Sequence, residues 1–371
     1  MKPTDEKHQT DKLAPGVEPL EPISVRRSAP RQRVRRRAGS GDATIDAAIT
    51  AMLADIDVPN EDLLQDTLET VFRIARTANR GEVKLVRRSL HELGRSFRVF
   101  APYRGVRKVS IFGSARTPED DADYIVGREF AREIAARGWM VITGAGPGIM
   151  AAGHEGAGKK NSFGVGIKLP MEQGANSFIA GDPKLIDFKY FFTRKVTFMK
   201  ESDAFVLMPG GFGTMDEGFE LLTLMQTGKT AIRPVVLLEA TGDYWAQWVR
   251  FVETTLVGRG LCSPEDLSLF EPAATVAQAV EVIERFYSNY DSARYVGERL
   301  VLRMKHSPSD AALGRLNHEF ADIVASGQIE SIEITASESR DSDVPELQRL
   351  ALHPRHNFGR IRQLIDALNR L

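Results

Sequence analysis

From Arg107 to Ser288, short apolar runs alternate with helical stretches, and three of the runs break into glycine-rich turns. Val109 to Phe112 stops at Gly113-Ser114. Trp139 to Thr143 stops at Gly144-Ala145-Gly146-Pro147-Gly148. Ala204 to Met208 stops at Pro209-Gly210-Gly211-Phe212-Gly213-Thr214. Phe163 to Leu169 and Ile232 to Leu238 read as two further strands. The spacing predicts helices over 121–137, 148–159, 190–201, from the third turn to Gln226, 243–257 and 274–288. Strands that alternate with helices give a parallel sheet covered on both faces. Ligands of such sheets bind at the carboxyl ends of the strands, so the three glycine-rich turns are expected to meet at that edge.

The resulting fold class is α/β, a Rossmann-like doubly wound parallel sheet over residues 101–290, with smaller units on either side. Residues 1–41 form a polar tail with Arg26, Arg27, Arg31, Arg33, Arg35, Arg36 and Arg37, read as disordered. A solvated leader is favoured there over an electrostatic hook for RNA or anionic lipid, because no aromatic residues are interleaved to stack on bases. Residues 42–100 read as a helical hairpin. Leu64, Leu68, Val71, Phe72 and Ala75 line one helix; Val86, Leu90, Leu93, Phe97 and Phe100 line the next; Asn79-Arg80-Gly81 separates them. This hairpin is expected to pack on the next domain or on a second subunit. Residues 291–371 read as a small α+β unit: strand 300–304, helix 309–325, strand 329–334, an acidic loop, strand 347–352 and helix 357–370.

Composition removes several functions. The 371 residues carry a formal net charge of −1, so nothing global marks a nucleic-acid binder. The one cysteine, Cys262, excludes an internal disulfide and fits a reducing, cytoplasmic setting. No apolar run reaches the length of a membrane span, and the N-terminus lacks the apolar core of a secretory signal. The seven histidines show no metal-ligand spacing, and nothing supports a pyridoxal lysine, so neither metal nor organic cofactor is expected.

Of the three turns, 209–214 is the best phosphate cradle. A helix N-terminus offers unpartnered amides and the positive end of a dipole. Met215 stands where a P-loop has its lysine, so one phosphate suits the turn better than a triphosphate with magnesium. The 144–148 turn is a poor dinucleotide fingerprint, because Ile149 falls where the third glycine should be. The acids beside the cradle need a task. Thr214 and Glu217 match a helix capping box, and Asp216 and Glu220 match dipole-complementing or solvated acids. Against that stands Arg194, in the first turn of the preceding helix, where a cation opposes the dipole and needs a partner. Its helix also begins at the carboxyl edge, which places Arg194 and Glu217 over one crevice. A carboxylate near an anomeric carbon is the usual tool for cleaving a glycosidic bond.

Pro209-Gly210-Gly211-Phe212-Gly213-Thr214-Met215-Asp216-Glu217 resembles the P-G-G-x-G-T-x-x-E signature of the Lonely Guy family of nucleoside 5′-monophosphate phosphoribohydrolases, a family often labelled lysine decarboxylase-like. Arg194-Lys195 with Met199 is similar to its R-K-x-x-x-M element, and Gly113-Ser114 and Gly144-Ala145-Gly146 resemble its other nucleotide-binding turns. The likeness covers roughly 106–288 and is closest to the longer bacterial members. It implies that Arg194 and Glu217 are catalytic and that Gly113, Ser114, Gly144, Gly146, Lys195, Gly210, Gly211, Gly213 and Thr214 bind a nucleoside monophosphate, AMP or a related nucleotide, in a homodimer or larger assembly. Plant-type members carry His-Glu before the R-K pair, where this chain has Phe192-Thr193, which weakens a cytokinin-type specificity. The alternative is a nucleotide-sensing protein that binds without chemistry.

Overall fold

Apolar runs buried on both faces make the central sheet. In the computed structural model, which describes residues 39–56, 58, 60–169, 174–335, 338 and 346–371, the arginine-rich stretch 26–37 and most of the acidic loop before Leu347 lie outside the described residues. In chain order the elements are α1 (Ala43–Ala54), α2 (Glu61–Thr77), α3 (Arg80–Phe100), β1 (Lys108–Phe112), α4 (Ala122–Ala136), β2 (Met140–Thr143), α5 (Ile149–Ala157), β3 (Ser162–Ile167), β4 (Leu185–Phe188), α6 (Phe191–Glu201), β5 (Ala204–Leu207), α7 (Phe212–Gln226), β6 (Val235–Leu238), α8 (Tyr244–Phe251), β7 (Glu271–Ala273) and α9 (Val276–Phe286). The C-terminal region adds β8 (Tyr290–Val296), β9 (Arg299–Met304), α10 (Asp310–Glu319), β10 (Val324–Ser331), β11 (Gln348–Pro354) and α11 (Phe358–Leu368).

The first sheet has seven parallel strands in the order β4-β3-β2-β1-β5-β6-β7. The chain winds outward from β1 to β4, then returns to place β5 on the other side of β1. That reversal makes the β1/β5 boundary a topological switch point, where open α/β sheets leave a crevice. Two apolar cores sandwich the sheet. Phe130, Ile134, Ile149 and Ile283 fill one with the inner residues of β1 and β5. Phe198, Leu221, Met225 and Trp245 fill the other with Phe112, Ile142 and Phe205. Burying a side chain such as Phe198 contributes about 2–3 kcal/mol.

The doubly wound α/β fold read from the sequence is the observed one, with differences of detail. β4 is four residues long, and β7 is a three-residue edge strand, Glu-Pro-Ala, whose proline fits only an edge. Both are too short to show a period. β8 was missed because its sequence, Tyr-Asp-Ser-Ala-Arg-Tyr-Val, is largely polar and only its first residue is buried. β8 pairs with β9 in a second, antiparallel sheet ordered β10-β11-β9-β8. The helix read over 309–325 ends at Glu319, and a short 3-10 turn leads into β10.

Residues 42–100 form three helices, and Asn79 lies where α2 gives way to α3. Its Oδ1 accepts from the amides of Gly81 and Glu82, while Glu82 Oε2 accepts from the Asn79 amide at 2.8 Å, a reciprocal cap that starts α3. The chain divides into two units inside α3, at Arg87/Arg88. In the first, Asp42 caps α1, and Ile49 and Leu53 are buried. In the second, the remainder of α3 braces α6. Buried Glu92 accepts from Arg88 Nε at 2.7 Å, the Lys189 amide at 2.7 Å and Thr193 Oγ1 at 2.6 Å. Thr197 Oγ1 bonds Ser96 Oγ one turn further on. A carboxylate at the start of a helix also complements its dipole.

Burial pushes the Glu92 carboxyl up, but its hydrogen bonds from Thr193, Lys189 and Arg88 outweigh that and hold it below the usual glutamate range. Its stabilisation is therefore complete above the unfolded value of 4.5 and is lost as pH falls through the lower folded value. Glu92→Gln is expected to destabilise the protein by about 1–3 kcal/mol at pH 7. Urea unfolding should show the gap from wild type closing as the pH is taken below 4.5.

Candidate active site

β2, β1 and β5 are neighbours, so their carboxyl ends deliver the three glycine-rich turns to one place. Backbone hydrogen bonds join them: the Ser114 amide donates to Pro209 O at 3.0 Å, and the Ile149 amide donates to Ser114 O at 3.0 Å. Gly210 sits so close to Thr214 that a Cβ there would lie 2.1 Å from Thr214 Oγ1 and 3.1 Å from the Ser114 amide. Only glycine permits that approach. Tyr244, a residue the sequence did not single out, donates its hydroxyl to Gly210 O at 2.5 Å and fixes the turn from α8.

The helix after this turn starts earlier than a capping box requires. Gly211 is the N-cap of α7 and accepts from the amides of both Thr214 and Met215 at 3.1 Å. Thr214 therefore lies inside the first turn and does not cap the helix, and Glu217 does not reach back to a cap amide. This corrects two readings. The capping-box role for Glu217 is absent, and the Thr214 amide is spent within the chain. Among the described residues, the amides of Gly210, Gly211, Phe212 and Gly213 make no such bond. They are the donors an anion would meet at this helix N-terminus.

Glu217 is 5% exposed, and its Oε2 is buried without a hydrogen-bond partner. Burial pushes its carboxyl up to about 7; Arg194 and Lys195 pull it down, while Glu220 and Asp216 push it further up. An unsatisfied buried carboxyl oxygen is costly, and such groups concentrate where chemistry is done. The neighbouring acids have a structural task. Lys195 Nζ lies 2.8 Å from Asp216 and 2.5 Å from Glu220, tying α6 to α7. Burial works against the Lys195 charge, but the bonds to Asp216 and Glu220 outweigh it and hold its pKa above the usual lysine value. Lys195, expected to touch substrate, is thus engaged by the two acids that flank Glu217.

Arg194 is on the same helix and points to the 144–148 turn. Its Nε donates to Val165 O at 2.9 Å, and a Cβ on Gly144 would lie 2.4 Å from one of its terminal nitrogens. Its charge acts on Glu217 and pulls that carboxyl down.

The 144–148 turn carries a constraint that glycine spacing did not reveal. Ala145, 3% exposed, has φ of +64°, a left-handed conformation unusual for a residue with a side chain. A polar cluster beneath the turn holds it there. The Ala145 amide donates to Thr143 Oγ1 at 3.1 Å, and the Asn176 amide donates to Ala145 O at 2.8 Å. Asn176 Nδ2 donates to Gly146 O at 2.9 Å and lies 3.2 Å from His154 Nδ1. The fully buried His154 places Nε2 at 3.0 Å from Phe163 O. These partners are all satisfied by a neutral ring with its proton on Nε2 and Nδ1 accepting from Asn176. Burial lowers the His154 pKa, in keeping with that neutral form. Among the described residues, no group of three or more His, Cys, Asp or Glu is placed to hold a metal ion, and no helix is long and apolar enough to cross a membrane.

Residues 150–283 match a family model described as "Possible lysine decarboxylase". The chain is similar to a probable cytokinin riboside 5′-monophosphate phosphoribohydrolase of Oryza sativa subsp. japonica, 28% identical over 166 residues, which are 44% of this chain and 76% of that protein. It is also similar to a cytokinin riboside 5′-monophosphate phosphoribohydrolase of Arabidopsis thaliana, 25% identical over 185 residues, 48% of this chain and 83% of that protein. Among solved structures, a molybdenum cofactor carrier protein from Chlamydomonas reinhardtii is 22% identical and aligns over 48% of this chain and 97% of its own, with a TM-score of 0.36.

Two outcomes follow from this geometry. The folded Glu217 carboxyl titrates above its unfolded value of 4.5, so its ionisation opposes folding from pH 4.5 upward, fully so above about 7. Glu217→Gln should therefore be more stable than wild type at pH 8, by roughly 3 kcal/mol at most, with no gain below pH 4.5; thermal or urea unfolding at the two pH values measures this. Asn176→Ala removes the clamp on Ala145 and Gly146. It should cost about 1–3 kcal/mol of stability and weaken binding of a nucleotide at the turn, read by calorimetry.

Proposed function

We propose that this chain, whose central domain belongs to the lysine decarboxylase-like, Lonely Guy family, hydrolyses the N-glycosidic bond of a nucleoside 5′-monophosphate to the free base and ribose 5-phosphate. The observation that carries this reading is Glu217: a buried carboxyl with an unpartnered oxygen, held by α7 directly after a turn of unpaired amides. The phosphate would sit on the amides of Gly210 to Gly213, with Thr214 Oγ1 packed behind them. The ribose would then extend toward Glu217. As C1′ develops positive charge and its bond to the base nitrogen breaks, the Glu217 carboxylate stabilises the oxocarbenium-like centre. It also takes a proton from the water that attacks C1′. The bonding electrons leave with the base, which is protonated at that nitrogen.

Arg194 holds one wall of the crevice by its bond to Val165 O and lies against Gly144, within reach of sugar or base oxygens. Lys195 keeps Asp216 and Glu220 paired, which leaves Glu217 as the acid without a partner for its Oε2. AMP or a related nucleotide is the proposed substrate, and Phe192-Thr193 in place of the plant-type His-Glu before Arg194 argues against a cytokinin-type specificity. A homodimer belongs to the same reading. Phe191, Phe192 and Val196 on α6 and Phe212 and Phe219 on α7 are exposed beside the site and give apolar surface for a second copy to cover.

A panel of nucleoside 5′-monophosphates, followed for released base, tests the reaction. Glu217→Gln is expected to lower kcat by about a hundredfold or more. Glu217 works as the carboxylate, so kcat/KM should rise with pH through about 7 and level off above it. Unchanged turnover in Glu217→Gln would remove the mechanism. Nucleotide binding without base release would instead support a nucleotide-sensing protein.

A further inference from the structure

A cavity of about 180 Å³ lies between the loop that follows α7 and the C-terminal sheet, at the end of α7 away from Glu217. Its walls come from residues 228–232, from β8, which contributes Tyr290, Ala293, Arg294 and Tyr295, and from β9 and α11. The floor is apolar: Leu300, Leu302, Ile361 and Ile365 are buried, with Phe358 beside them. The loop is held open over that floor. Gly228, with φ of +69°, ends α7, and the ring of Phe358 occupies the place of a side chain there, since a Cβ would lie 2.1 Å from its Cζ. The amides of Lys229 and Thr230 both turn back to Leu224 O, at 2.8 and 3.2 Å. Lys229 is exposed in the lining and makes no ion pair among the described residues.

We propose that this cavity is a binding site for a small aromatic carboxylate. Protein interiors are packed to the density of organic crystals, and few voids exceed the size of a water molecule. Ligand sites are concave and mostly apolar with a few placed polar groups, and this cavity, smaller than a drug-sized site, has that lining. An apolar cavity of about 150 Å³ accepts a benzene ring, so this one has room for a benzene ring with a short substituent. The floor offers a ring nothing to hydrogen-bond. Two cations line the cavity, Arg294 on β8 and Lys229 at the mouth; Lys229 makes no ion pair among the described residues, and its ammonium selects an anionic substituent. The ligand would bridge the α7–β6 loop to the C-terminal sheet. The site shares no residue with the proposed nucleotide crevice, so it stands or falls independently of the hydrolase reading.

Phenylacetate and its neutral isostere phenylacetamide are the probes, tested on the full chain by ligand-observed NMR and thermal shift. Phenylacetate should bind saturably with Kd of about 0.1–1 mM and raise the melting temperature. Phenylacetamide should bind about fivefold more weakly. Lys229→Ala should reduce that preference at least twofold while leaving the melting temperature of the free protein unchanged. Ala293→Leu, which fills the cavity from β8, should remove binding of both probes. Hydrogen exchange of wild type with phenylacetate should slow at 228–232 and along β8, a readout that does not depend on either variant folding. Absence of saturable binding to wild type overturns the site. So does binding that neither substitution alters, or protection confined to other segments.

Discussion

The fold turns on the meeting of β1 and β5 at the switch point of the sheet, fastened by the hydrogen bond from the Ser114 amide to Pro209 O. Strands that wind outward in one direction and then the other must leave a gap between their connections at that boundary. Here the gap is lined by the turns after β1, β2 and β5. Gly210 is required there because Thr214 and the Ser114 amide occupy the space a side chain would need. The approach of these backbones sets the start of α7. That start in turn puts Glu217 in the second turn of the helix, under cover and without a capping role.

Around that point the acids are paired, and buried Glu217 keeps an oxygen without a partner. Glu92 is satisfied by three donors and holds the N-terminal end of α6. Asp216 and Glu220 share Lys195 and bind α6 to α7. Glu217 lies between these pairs and keeps one oxygen unsatisfied. Its raised pKa and the depressed pKa of Glu92 have one physical origin: both are buried, and only Glu92 has enough hydrogen bonds to outweigh desolvation. The 144–148 turn follows a related logic. A left-handed Ala145 persists because Thr143, His154 and Asn176 over-determine it from below.

Much of this was legible in the sequence. The strand–turn–helix periodicity gave the α/β class, and the glycine turns marked the carboxyl edge before any strand order was known. Arg194 and Glu217 were drawn to one crevice by their helices alone. The short strands β4 and β7 were not legible, because three or four residues cannot show a period, and β8 was hidden by polar residues on a half-exposed strand. Glu92, His154, Asn176 and Tyr244 were also missed. Each acts on a segment far from it in the chain, and no local spacing signals such a contact. The one available signal was the Asn79–Glu82 cap, which marked where α3 begins but not what its buried face would hold.

The sequence by itself determined which segments become strands and helices and which strand ends carry glycine, because those depend on local periodicity and on the space a backbone turn demands. It left Thr214–Glu217 as an ordinary capping box or a reactive acid, and it left Lys195 as a substrate contact. Tertiary structure decided both. The closeness of Gly210 to Thr214 moved the cap to Gly211, and the packing of α6 on α7 gave Lys195 to Asp216 and Glu220. The ionisation of Glu217 depends on the water and the partners removed from it, and those are set only when distant segments close over it.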